Sequence, residues 1–172
     1  MSAPKTTIVT FLEMRHKPQL AVPAPLGQYS LIAAPRPPLH FYRYLYHQVG
    51  AHHQWLDRTG LEDEALAALI HKDEVEIYVL YVEGAPAGYI ELDFSDLPQQ
   101  AELAYFGLMP EFIGRGLGKY LLVQAIGLAW RRAPERLTVQ TCTLDHPSAL
   151  PLYQKCGFRP YLREEKPAPS LA

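Results

Sequence analysis

The pattern of apolar and polar positions predicts a chain of short strands interspersed with amphipathic helices. Runs rich in β-branched and aromatic residues, typical of strands, occur at residues 6–14, 29–34, 75–82, 87–94, 101–108, 137–143 and 158–163. Apolar residues recur at helical spacing in residues 39–48, 62–71, 117–130 and 145–157. The order ββααβββαβαβ predicts an α/β fold of the α+β type, with a mixed, mostly antiparallel sheet of six to seven strands flanked by about four helices.

The middle of the chain predicts how these strands pair. The runs 75–82 and 87–94 are joined by Glu83-Gly84-Ala85-Pro86, which is typical of a hairpin turn, and the run 101–108 follows a short polar link. Three strands on short links favour an antiparallel meander. The strand 137–143 must be parallel to 101–108 if it enters the same sheet beside it, because a helix separates the two.

Length and proline content suggest how the chain is divided. A chain of 172 residues predicts a single domain, residues 1–172. Prolines cluster in the first part, so residues 1–38 are interpreted as a proline-rich N-terminal arm that carries a strand. Residues 164–172, with two prolines, are predicted to be a flexible tail.

In the first helix, Phe41, Leu45 and either Gln48 or Val49 are expected to face the core.

Composition excludes several classes of partner. With 16 basic and 18 acidic residues the net charge is −2, so no basic surface for nucleic acid is expected. There is no run near the ~20 apolar residues of a membrane span and no signal layout, which favours a cytoplasmic protein without a membrane partner. Cys142 and Cys156 are expected to be reduced core thiols. The pair His52-His53 lacks other ligands at metal-binding spacing, so no metal is predicted.

A glycine-rich turn joins the strand 101–108 to the helix 117–130. Gly114, Gly116 and Gly118 alternate there, flanked by Arg115 and Lys119. Such a turn presents main-chain N–H groups at a helix start and favours phosphate. A nucleotide-triphosphate loop requires glycine at 113, and a dinucleotide fingerprint requires it at 119 or 121; the chain has none of these glycines.

A second motif identifies the phosphate ligand. About 30 residues after the turn, the chain reads His146-Pro-Ser-Ala-Leu-Pro-Leu-Tyr-Gln-Lys-Cys-Gly-Phe158. The two motifs at this separation resemble the cofactor and Tyr-x-x-x-Gly-Phe motifs of the GCN5-related N-acetyltransferase (GNAT) superfamily, over residues 72–162. The resemblance implies transfer of an acetyl group from acetyl-CoA to a primary amine of a small molecule or peptide, by direct attack in a ternary complex, and a possible homodimer.

The resemblance also implies which residues bind coenzyme A. The main chain of Phe106 and Leu108 would pair with pantetheine, with the Leu108 N–H as oxyanion donor. His146 would bond pantetheine or the reacting amine, or cap the following helix. Ile113 stands where the family has Gln or Arg, so the cradle must rely on its backbone. The pyrophosphate is expected against the turn, formed by Ile113, Gly114, Arg115, Gly116, Leu117, Gly118 and Lys119.

The catalytic and acceptor residues follow from the same resemblance. Tyr153 would protonate the leaving thiolate, although its apolar stripe also suits a core position. Glu102 would act as base, with Glu91 or a water chain as alternatives. Tyr42, Tyr46, Trp55 and Glu91 are expected to line the acceptor site. Two other functions share these motifs: a non-catalytic acyl-CoA-binding sensor or regulatory module, and a transferase of a larger acyl group.

Overall fold

A computed structural model describes residues 6–170 and contains one seven-stranded sheet with helices on both faces. The strands are β1 (Thr6–Met14), β2 (Tyr29–Ala33), β3 (Val75–Val82), β4 (Ala85–Asp93), β5 (Ala101–Leu108), β6 (Leu137–Cys142) and β7 (Arg159–Pro167). The helices are α1 (Leu39–Gly50), α2 (Asp63–Ile70), α3 (Leu117–Trp130) and α4 (Ala149–Lys155). The mixed α/β architecture inferred from the sequence is therefore confirmed. No helix of this described part combines the length and the apolar character that crossing a membrane requires.

The strands lie in the order β2-β3-β4-β5-β6-β1-β7. The β3-β4-β5 meander is antiparallel as predicted, and β6 is parallel to β5. The position of β1 differs from the interpretation of residues 1–38 as an arm, since β1 is an internal strand that pairs antiparallel with both β6 and β7. Leu12 and Met14 on this strand are buried. Residues 1–5 of that arm lie outside the described residues.

The C-terminal segment also differs from the prediction. Strand β7 continues to Pro167, because its residues pair with β1 as far as Thr6. Residues 164–167 are therefore part of the sheet and not of a flexible tail. Their pairing partner is at the other end of the chain, which local composition does not reveal. Residues 171–172 of the predicted tail lie outside the described residues.

Helix α1 packs against the sheet with a face that matches the predicted one in part, since Leu45 and Val49 are buried as expected. Its buried residues are Tyr42, Leu45, Tyr46 and Val49, while Phe41 is half-buried. This stripe has i, i+3, i+4, i+7 spacing, and tyrosines occupy half of it. Helices α1 and α2 cover one face of the sheet; α3 and α4 cover the other, against a second apolar cluster.

Candidate functional site

Strands β5 and β6 separate and open a cavity in the sheet. Within the described strands they pair over residues 101–103 of β5, up to the partners Leu103 and Val139. Beyond that point, a cavity of about 770 Å³ lies between them. It is lined on one side by residues 103–108 and on the other by residues 139–142. The cavity thus connects the α3 face of the sheet with the α1 face.

The main chain of β5 presents hydrogen-bonding groups to this cavity. The Met109 N–H donates to the Ala87 carbonyl on β4, at 2.8 Å. Because main-chain groups alternate in direction along a strand, those of Phe106 and Leu108 point the other way, toward the gap. Both residues are partly buried, so that few water molecules can reach these main-chain groups and a ligand can pair with them. A ligand with amides could supply them by pairing as an extra strand.

The glycine turn closes the α3 side of the cavity. Gly114 and Gly116 have φ values of 87° and 76°, which residues with a Cβ rarely adopt. Gly118, in the first turn of α3, lines the cavity, and a Cβ added there would be 3.7 Å from a Leu108 methyl carbon. A single methyl group therefore fits, while a larger side chain would occupy the cavity. The turn suits an anion, because the N-terminus of α3 adds its dipole.

Tyr153 projects from α4 into the same cavity. Its ring packs against Phe106 and Phe158, with centroids 6.1 Å and 5.8 Å away. Burial, and then the negative charge of Asp145, raise the pKa of the phenol, so that it stays protonated at neutral pH. No hydrogen bond from its hydroxyl to another group is found in the described part of the chain. The arrangement leaves a proton donor available to a ligand.

His146 precedes α4 and also lines the cavity. Its Nδ1 accepts a hydrogen bond from the Ser148 N–H at 3.1 Å. Ser148 immediately precedes α4, so this contact lies just before the first residue of that helix. Since Nδ1 accepts, the neutral ring carries its proton on Nε2, which can donate to a ligand.

On the α1 face, Trp55 and Asp145 meet across the mouth of the gap. The Trp55 indole N–H lies 3.4 Å from Asp145 Oδ1, and the Thr141 hydroxyl donates to Oδ2 at 2.6 Å. The Cys142 N–H donates to the same Oδ2 at 3.0 Å. Asp145 was not among the residues expected from the sequence, because no spacing rule marks it. Its position just after β6 and before His146 was the available signal.

Glu91 is part of a buried network beneath the segment that carries Trp55. The carboxylate is 1% exposed and forms an ion pair with Arg58, with Nη1 2.7 Å from Oε2. The Glu91 carboxylate also accepts a hydrogen bond from the Tyr42 hydroxyl at 2.6 Å. The main-chain N–H of Arg58 donates to the Tyr46 hydroxyl oxygen. Glu91, Tyr42 and Tyr46 are thus core residues outside the cavity wall, where the pairing with Arg58 holds the Trp55 segment against β4.

Glu102 lies one residue before the point where β5 and β6 separate. It pairs with Asp93 on β4 and Thr138 on β6 and does not line the cavity. Burial, followed by the charges of Asp93, Asp96 and Glu91, raises the pKa of its carboxyl group. The raised pKa makes Glu102 a stronger base than an exposed carboxylate, but its reach into the cavity would require water.

Comparison with known proteins identifies the family. The model of the acetyltransferase (GNAT) family matches residues 39–158. The chain belongs to this family. A curated relative, an uncharacterized N-acetyltransferase of Methanocaldococcus jannaschii, is 30% identical over 95 residues, which are 52% of this chain and 42% of the relative. The chain thus matches less than half the length of that relative.

Solved GNAT structures share the fold at low identity. A GCN5-related N-acetyltransferase from Sphaerobacter thermophilus has a TM-score of 0.69 and 14% identity, over 98% of this chain and 54% of that one. An aminoglycoside acetyltransferase from an uncultured soil metagenomic sample, in complex with sisomicin, has a TM-score of 0.61 and 15% identity. The match covers 75% of this chain and 87% of that one. A tandem GNAT protein from the clavulanic acid biosynthesis pathway has a TM-score of 0.61 and 19% identity, and the match covers 99% of this chain and 56% of that one.

The cavity brings together about half of the site residues expected for a GNAT enzyme. Those lining it are Trp55, Phe106, Leu108, Ile113, Gly114, Gly118, His146 and Tyr153. Four residues of the turn are outside the lining: Arg115, Gly116, Leu117 and Lys119. Leu117 is buried, and the Arg115 guanidinium lies 5.1 Å above the Phe112 ring. Among residues 6–170 no cluster of His, Cys, Asp and Glu suits a metal ion.

Proposed function

We propose that this GNAT protein transfers an acetyl group from acetyl-CoA to the primary amine of a small molecule or peptide, by direct attack in a ternary complex. The observation that carries the proposal is the cavity between β5 and β6, whose lining includes residues from both faces of the sheet, Trp55 on one face and Gly118 and Tyr153 on the other. A thioester bound from the α3 side and an amine arriving from the α1 side can meet inside it. Family membership supports acetyl transfer in general.

The turn and β5 would hold the donor substrate. The positive φ values of Gly114 and Gly116 turn the backbone toward an anion at the start of α3, where the pyrophosphate would lie. The outward-pointing groups of Phe106 and Leu108 match the amides of pantetheine. Because Ile113 offers no polar side chain, main-chain groups from Ile113 onward carry this contact.

Tyr153 and Glu102 would perform the proton transfers. Glu102 accepts, through water, the proton that the acceptor ammonium loses, and the free amine attacks the thioester carbonyl carbon. The Leu108 N–H stabilises the negative charge that develops on the carbonyl oxygen. The carbon–sulfur bond then breaks, and the Tyr153 phenol donates its proton to the departing thiolate. After the attack the nitrogen loses its second proton through water, and this proton restores the Tyr153 phenol, while Glu102 releases the first proton to solvent. The products are an amide, coenzyme A and one proton.

Mass spectrometry of an amine panel tests the proposal. The protein is incubated with acetyl-CoA and primary amines of varied charge and size, and acetylated products are measured against a Gly118→Trp control. We expect at least one amine to be acetylated in a protein-dependent manner, and not by the control. Binding of coenzyme A without any product would instead support the non-catalytic sensor, and product with longer acyl-CoA alone would support a larger acyl group.

A further inference from the structure

The charged groups around the cavity differ in whether they have partners. Lys166 also lines the cavity, but its Nζ lies 3.4 Å from a Glu164 carboxylate oxygen and 5.0 Å from the Phe11 ring centre. Asp145 has no cationic partner among the described residues. The cavity thus contains a carboxylate whose charge the protein leaves uncompensated.

The orientation of Asp145 is fixed by the end of β6. Two donors, the Thr141 hydroxyl and the Cys142 N–H, bind Oδ2. Among the described residues, the Trp55 indole N–H is the one donor found near Oδ1, and its 3.4 Å distance lies beyond the usual range of an N–H to oxygen bond. A carboxylate oxygen accepts two hydrogen bonds, so Oδ1 keeps capacity for a ligand donor.

The surface beside Oδ1 is aromatic. The Trp55 ring packs against Tyr105, with centroids 5.1 Å apart, and both residues line the cavity. A carboxylate next to an aromatic wall suits a ligand that has a positive charge and an apolar body, since both kinds of group attract a cation. Asp57, exposed on the same side, adds negative charge.

We propose that Asp145 binds a positively charged group of the acceptor, and that the acceptor is therefore an alkylammonium compound whose apolar part packs on Trp55. The inference rests on the proposed function, since it names the substrate class of that site. This proposal excludes acidic acceptors. An anion would meet the carboxylates of Asp145 and Asp57, and Lys166 is already paired with Glu164.

A charge series of small ligands tests this binding without requiring turnover. Calorimetric titrations with hexylamine, 1-hexanol and hexanoate are made with and without saturating coenzyme A. These ligands share one apolar chain and differ in the charge of the head group. We expect the wild-type protein to bind hexylamine at least 10-fold more tightly than 1-hexanol, with hexanoate the weakest. We expect Asp145→Asn to remove the advantage of hexylamine.

Two further variants separate this role from other effects. Asp96→Asn changes the net charge equally on an exposed loop outside the cavity and should keep the preference for hexylamine. Thr141→Val keeps the carboxylate but removes a donor that orients it, and should weaken hexylamine binding about 3-fold, because the Asp145 side chain must then be ordered on binding. This second variant also tests the proposal if Asp145→Asn does not fold.

The outcomes distinguish the two proposals. Equal binding of hexylamine and 1-hexanol by the wild-type protein, or an unchanged preference in Asp145→Asn, would overturn the role of Asp145. Either result is independent of whether the amine panel yields acetylated products. A wild-type preference for hexylamine without any acetylation would reject the proposed transfer and retain the binding site.

Discussion

Replacing Tyr153 with phenylalanine removes one hydroxyl group and keeps the packed ring. The ring contacts to Phe106 and Phe158 persist, and the hydroxyl has no partner in the described structure. Since a typical net hydrogen bond contributes about 1 kcal/mol, the free energy of unfolding should change by less than about 1 kcal/mol. The variant therefore isolates chemistry from folding.

The expected effect of this substitution is on kcat. Loss of a general acid lowers turnover by at least about 10-fold, or ~1.4 kcal/mol of transition-state free energy. The affinity for acetyl-CoA should stay within about 2-fold of wild type. Because burial raises the pKa of the Tyr153 phenol, we also expect no loss of turnover from its ionisation below about pH 10, the usual value for tyrosine.

The assay follows release of the coenzyme A thiol with an amine from the panel, together with calorimetry for acetyl-CoA binding. Tyr120→Phe is the matched control, because it removes a hydroxyl from α3 outside the cavity lining and should leave kcat unchanged. A kcat for Tyr153→Phe within 2-fold of wild type would refute the role of the phenol.

Three other substitutions test the cradle, the buried ion pair and the base. Gly118→Trp should abolish coenzyme A binding by calorimetry, because the side chain enters the cavity, whereas Gly118→Ala fits the 3.7 Å gap to Leu108 and should keep the fold. Arg58→Met leaves Glu91 charged and buried, so denaturant unfolding should show a loss of about 3 kcal/mol. Glu102→Gln should lower kcat about 10-fold or more yet raise the melting temperature at pH 7.

The higher melting temperature expected for Glu102→Gln at pH 7 follows from the raised pKa of Glu102. A carboxyl group whose pKa is higher in the folded state stabilises the fold at pH values below its ordinary pKa, and this stabilisation is lost as the pH rises through the raised value. The buried negative charge of Glu102 therefore destabilises the wild-type protein at pH 7, and Glu102→Gln removes this destabilisation. At pH 4 the two melting temperatures should be closer together, and a larger gain at pH 4 than at pH 7 would contradict this explanation.

The Gly118→Trp and Arg58→Met tests each have a matched control variant elsewhere in the chain. Gly127→Ala is in α3 with open space around the added carbon, so coenzyme A affinity should be unchanged. Arg132→Met breaks an ion pair with Glu76 in which Arg132 is 45% exposed, and should cost less than about 1 kcal/mol. Retained coenzyme A affinity in Gly118→Trp, or equal losses for Arg58→Met and Arg132→Met, would contradict the respective interpretations.

The sequence by itself determined the order of elements, the glycine turn and the position of Tyr153. These features depend on interactions between near neighbours in the chain. Strand and helix periodicity is local, and the conformations of Gly114 and Gly116 follow from the absence of a Cβ. The family motifs are likewise contiguous, so the residues that we propose for donor binding can be recognised from the sequence alone.

Tertiary structure alone brought together the residues that we propose for acceptor binding. The pairing of β1 with β6 and β7 joins the two ends of the chain, and Trp55 meets Asp145 across 90 residues. The partner of Glu91, Arg58, likewise comes from a loop 33 residues away. A charged residue in a strand has the same local pattern whether it is a base, a surface group or half of a buried pair. Only the packing of α1 and its following loop on the sheet places Glu91 in the core and leaves Asp145 facing the cavity, because burial and charge pairing depend on distant neighbours.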